Sequence, residues 1–136
     1  MIPRGLRLKN PGNIEHSGIP WKGEIPGTDP RFITFDTMVN GICAMAKVLK
    51  NYDALHGLDT VRGIITRWAP PSENNTEAYI DDVCAHGKVK PDTVLDLTNP
   101  SVLSWLIYGI ICHENGPDLA ARYVSASDLH DGIAAA

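Results

Sequence analysis

The spacing of apolar positions changes character near residue 37. From Thr37 onward, Val39, Ile42, Met45, Ala46, Leu49, Tyr52 and Leu55 recur every three or four residues. That period predicts an amphipathic helix, and Gly57 is placed to stop it. Val61, Ile64, Ile65 and Trp68 predict a shorter helix, with Asp59 or Thr60 as its cap and Pro70-Pro71 as its end. Asn75 or Thr76 is placed to cap a third helix running to about His86-Gly87, and residues 88–98 read as a connection. Asn99 followed by Pro100 is a strong start signal. Val102, Leu103, Leu106, Ile107, Ile110 and Ile111 then leave little polar circumference, which predicts a central buried helix over about 100–115. Asn115-Gly116-Pro117 reads as its stop, and a last short helix is expected after Ser125.

Residues 1–36 obey another rule. Asn10-Pro11-Gly12-Asn13, Ser17-Gly18-Ile19-Pro20 and Ile25-Pro26-Gly27-Thr28-Asp29-Pro30 are turn-forming clusters. Short extended pieces fit between them, around Asn13-Ile14-Glu15 and Arg31-Phe32-Ile33-Thr34-Phe35. The expected fold is α+β, mainly α: a small irregular β lobe over 1–36 packed on a helical bundle, in a single domain over 1–136.

Composition narrows the function classes. The chain has 136 residues, 43% hydrophobic and 21% charged, which is ordinary globular usage. A domain of this size hides roughly two-thirds of its unfolded surface. The net charge is −4 and no basic block is present, so nucleic-acid binding is disfavoured. No run has the length of a membrane span, and Met1–Arg7 lacks the apolar stretch of a signal peptide. If the protein acts outside the cell that makes it, something else delivers it.

The three cysteines, Cys43, Cys84 and Cys112, are odd in number and fall on helical patterns, which suggests free buried thiols. A cysteine amidase or peptidase using one of them with His16, His56, His86 or His113 has no local signature. A zinc site built from Cys84 and His86 lacks convincing ligand spacing. No metal or organic cofactor is expected.

Glu114 carries the most information. It ends the most apolar helix, after Ile110-Ile111-Cys112-His113. A carboxylate is costly in such surroundings, and the negative end of the helix macrodipole adds to the cost. Both effects favour the protonated acid that a glycosidase needs to donate to a glycosidic oxygen. The plain alternative is a side chain in solvent at a frayed helix end, or one paired with Arg122. Among the lobe carboxylates Glu15, Glu24, Asp29 and Asp36, Glu15 is the first choice for a second catalytic group, because it directly follows the expected Asn13-Ile14 strand.

Four ordered blocks carry a family resemblance. They are Lys9–Glu15 with Gly18–Gly23; Phe32–Asp36 with Gly41–Ala46; Arg62–Pro71 with Glu73–Thr76 and Tyr79; and Ile110–Gly116. Over residues 4–116 the chain resembles phage and prophage lysozyme-like proteins, a group of virion structural proteins and endolysins. More distantly it is similar to flagellar muramidases and soluble lytic transglycosylases. In those, the helix ending in the acid precedes the Asn-containing segment and the Phe-containing strand. Here Asn10–Ile14 and Phe32–Phe35 come before His113-Glu114-Asn115-Gly116, so the order looks circularly permuted.

The resemblance implies cleavage of peptidoglycan glycan strands, with Glu114 as acid and then base. It implies a sugar-binding cleft between the lobe and the helices. Asn10 and Asn13 are the implied ligands of acetamido or hydroxyl groups, Trp21 and Tyr79 the implied stacking platforms, and Arg67 and Asn74 the implied far wall. A paired carboxylate, with Glu15, suits hydrolysis; a single Glu suits lytic transglycosylation. Trp68 and Trp105 read as core, and Asn10 and Asn13 equally suit turn geometry. Virion proteins are further candidate partners. The competing reading is a non-catalytic virion or peptidoglycan-binding module that keeps the lysozyme fold.

Overall fold

The computed structural model describes residues 1–136. Its elements in chain order are α1 (Arg4–Arg7), β1 (Glu24–Ile25), β2 (Thr34–Phe35), α2 (Met38–His56), α3 (Val61–Trp68), α4 (Thr76–Gly87), α5 (Pro100–Asn115), α6 (Pro117–Tyr123) and α7 (Ala126–Ala134). The molecule is therefore mainly helical with one small two-stranded sheet. No helix is long and apolar enough to cross a membrane.

Side-chain caps set most helix starts. Thr37 accepts from Asn40 N at α2, Thr60 from Gly63 N at α3, and Asn75 from Ala78 N at α4. Asn99 accepts from Ser101 N at α5, and Ser125 forms a capping box with Asp128 at α7. Each such cap satisfies a donor that the helix leaves open, worth roughly 1 kcal/mol. At the end of α2, Gly57 takes φ 65°, and Gly57 N and Leu58 N bond back to Asp53 O and Tyr52 O.

The core is organised around α5. Leu106, Ile107, Ile110 and Ile111 are fully buried, and the helix packs against α1, α2, α4, α6 and α7. Truncating such a residue to Ala typically costs about 2–5 kcal/mol. The lobe joins this body through Leu6, which enters the main cluster, and through a small separate cluster of Ile33, Phe35 and Ala44.

Two elements differ from the sequence reading. The chain does turn at Gly116, with φ 87°, but it does not leave helical structure: Pro117 opens α6 at once. Proline interrupts a helix in its interior yet suits the first helical position, where no amide donor is required. The single turn α1, also unforeseen, is closed by Leu8 N bonding to Arg4 O. The expected extended pieces do meet. Glu15 and Phe32 form an antiparallel bridge, flanked by Ile33 N to Ile14 O and His16 N to Arg31 O. Beyond them, Glu24 pairs with Phe35 and Ile25 with Thr34.

Candidate functional site

The loop 9–13 is pressed between α2 and the last turn of α5. A side chain at Gly41 on α2 would collide with the Lys9 carbonyl, so glycine is required for this approach. From the other side, Asn115 Nδ2 donates to Pro11 O at 2.9 Å and to Ile111 O at 3.0 Å. One amide thus ties the helix end to the loop. Asn10 holds the same loop from within: Nδ2 donates to Ile14 O and Ile33 O, and Oδ1 accepts from Ile14 N, all at 2.9 Å.

Asn13 emerges from this scaffold in the left-handed region, with φ 53°. Asparagine tolerates that conformation better than most residues. Its Nδ2 donates to Glu114 Oε1 at 2.8 Å. The other carboxyl oxygen, Oε2, accepts from the Tyr79 hydroxyl at 2.7 Å. Tyr79 comes from α4 and is wholly buried. Burial, and then the charge of Glu114, push its phenol far above the ordinary value, so it acts as a permanent donor. His113 stacks on its ring at 3.8 Å with planes 25° apart, and His113 Nδ1 lies 2.7 Å from Asp82 Oδ2.

Glu114 itself is half-buried and lines a groove of about 380 Å³ between the lobe and the helices. Asn13, Glu15, Arg31 and Phe32 form the lobe wall; Trp68, Glu73 and Asn74 face them. Arg31 bonds to Glu15 through Nε and lies 3.9 Å from Glu73 through a terminal nitrogen. The Glu15 hydrogen bond, then its charge, raises the Arg31 guanidinium above its usual value. Both carboxylates beside Glu114 in the groove are therefore engaged by a cation, while Glu114 is held by neutral donors.

The structure brings Glu114, Glu15, Asn13 and Asn74 to one groove, and places Arg67 in an adjoining hollow that shares Asn13, Glu15 and Trp68. Three expectations are corrected. Asn10 is fully buried, so its amide serves the loop and reaches no ligand. Tyr79 is likewise inaccessible and offers no stacking face; it acts on Glu114. Trp21 packs against the Ile33–Phe35 cluster, with its indole nitrogen buried, and lines neither hollow. Glu114 neither points to open solvent nor pairs with Arg122.

Sequence reasoning missed Trp68, Arg31 and Glu73. Trp68 was assigned to the core, and it does pack there, but part of it lines the groove. Its place at the end of a short helix, two residues before Pro70-Pro71, is the signal that was present. The three cysteines are free and buried. Burial raises the Cys84 and Cys112 thiols, which opposes a nucleophilic role. No group of three or more His, Cys, Asp or Glu side chains is arranged to hold a metal ion.

No protein-family model matches the chain. Over 109 residues it is 43% identical to Protein P5 of Pseudoalteromonas phage PM2, an alignment that covers 76% of this chain and 68% of that protein.

Proposed function

This chain belongs to the family of Protein P5 of Pseudoalteromonas phage PM2, and from the geometry of its groove we propose that it is a phage lysozyme-like protein that cleaves the glycan strands of peptidoglycan, with Glu114 as the catalytic residue. The observation that carries this reading is the placement of one carboxyl group in a groove, fixed at both oxygens by Asn13 and Tyr79. Fixing both oxygens sets the direction in which a proton is delivered, and well-placed acid–base groups contribute typically 10²–10⁴-fold to rate. The docking of loop 10–13 on the last turn of α5 supports the circularly permuted likeness to muramidases and lytic transglycosylases.

Glu114 gives its proton to the glycosidic oxygen as the bond breaks, and then removes a proton from the attacking hydroxyl. The ion pair between Glu15 and Arg31 favours lytic transglycosylation over hydrolysis with a second carboxylate. Glu15 Oε1 is already engaged by Arg31 Nε, so Glu15 is not a free second carboxylate. In transglycosylation none is needed, because the sugar's own hydroxyl attacks. Asn13 and Tyr79 are positioning residues. A virion is the proposed carrier, in keeping with the phage source of the relative.

Zymography on purified cell wall tests the proposal. Wild type clears the wall and Glu114→Gln does not. Equal sedimentation of both with peptidoglycan, with clearing by neither, assigns the protein to binding without turnover.

A further inference from the structure

Resting on that reading, we propose that the hollow beside the Glu114 groove is a subsite for a carboxylate-bearing unit of the glycan, held by Arg67. The hollow has a volume of about 230 Å³ and is walled by Ile14, Val48, Tyr52 and Arg67. Gly12, Asn13, Glu15 and Trp68 belong both to it and to the Glu114 groove, so the two are neighbouring parts of one channel. A strand running along that channel past Glu114 places its next unit against Arg67.

Arg67 differs from several other guanidiniums of the chain. Arg31 is held by Glu15 and Glu73, Arg4 lies 4.0 Å from Asp29, and Arg62 is held by Asp92 and Glu77. Arg67 forms no ion pair. Its guanidinium carbon lies 5.3 Å from the centre of the Tyr52 ring, and Tyr52 in turn meets Trp68 edge-on at 6.3 Å. The aromatic pair orients the guanidinium without neutralising it. Burial keeps the Tyr52 phenol protonated, so the ring adds no competing charge. The one acid in the hollow, Glu15, is turned to Arg31. An oriented guanidinium without an acidic partner, at the wall of a sugar channel, matches a planar carboxylate through paired N–H donors.

The carboxylate has two sources in peptidoglycan, the acid ether of the sugar or the attached peptide. Binding to the Glu114→Gln protein, which leaves ligand uncut, separates the cases. The probes are a peptide-free glycan tetramer with free acid groups, the same tetramer with those groups reduced to alcohols, and the peptide-bearing tetramer. The expected result is tighter binding of a carboxylate form over the reduced form by about 10–100-fold, the range of a charged hydrogen bond. Preference for the free-acid tetramer assigns the sugar's acid, and preference for the peptide-bearing tetramer alone assigns the peptide. Adding Arg67→Met abolishes the preference while keeping the melting temperature, since Arg67 is exposed. Adding Arg67→Lys retains part of it. Equal binding of carboxylate and reduced forms, or a preference that survives Arg67→Met, overturns the subsite and leaves the glycan reading standing. Binding of none of the three overturns both.

Discussion

Asn13 and Glu114 lie 101 residues apart in the chain, yet their side chains meet, Nδ2 donating to Oε1 at 2.8 Å. The contact joins the irregular lobe to the last turn of the buried helix. It makes the orientation of the carboxyl group depend on the docking of the two parts, which Asn115 secures through Pro11.

Replacing Asn13 by Gly separates geometry from donation. Glycine adopts the positive φ freely and removes only the amide. Glu114 becomes anionic as it gives up its proton, and loss of a hydrogen bond to that developing charge costs about 1.5–3 kcal/mol, or roughly 10–100-fold in kcat. Asn13→Ala loses the same donor and also bears a left-handed backbone cost of about 1–2 kcal/mol. The expected pattern is similar kcat for both variants and a lower melting temperature for the Ala variant. Steady-state kinetics on soluble glycan, beside thermal melts, check it.

Tyr79→Phe removes the donor to Oε2 and leaves the ring stacked on His113. A fall in kcat with little change in KM is expected from kinetics on the same glycan. A pH effect follows as well. The folded-state pKa of Tyr79 is raised above its ordinary value of 10.0, by burial and then by Glu114. Below that ordinary value, folded and unfolded chains both hold the proton, and the stabilising contribution is fully present. As pH rises beyond it the unfolded chain ionises first, so stability falls. Urea unfolding above pH 10 should show this loss in wild type and a weaker one in Tyr79→Phe.

Gly5 underlies the same contact. A methyl there would lie 2.8 Å from Asn115 Oδ1 and 2.9 Å from both Asn13 Oδ1 and Asn10 O. Gly5→Ala pushes apart the amides that carry and brace the Glu114 contact. Overpacking of this kind costs typically 1–3 kcal/mol. The expected outcome is a lower melting temperature together with reduced kcat at temperatures where the variant is fully folded, read by calorimetry and kinetics.

Much of the helical frame was legible because caps and apolar periods agree locally: Thr60, Asn75 and Asn99 cap the helices they were placed to start. Glu114 stood out because a charged residue ended an apolar helix. Its partners were less visible to local reasoning. Asn13 entered through the family resemblance, and spacing alone says nothing of a contact across 101 residues. Tyr79 and Asn10 were read as ligand contacts because both are polar and lie in matching blocks. Tyr79 shares the buried side of α4 with Ile80 and Val83, and Asn10 substitutes for backbone pairing inside the loop. Trp21 shows the converse, a loop aromatic drawn onto the lobe's own small core. The pairing of Arg31 with Glu15 and Glu73 joins three separate segments, so no local pattern announces it.

The most direct test of the account is mass spectrometry of the fragments released from purified peptidoglycan by wild type and by Glu114→Gln. The account predicts glycan fragments with anhydro-sugar ends from wild type and none from the variant. Freed peptides with intact glycan strands, or equal fragment yields from the two proteins, would contradict it.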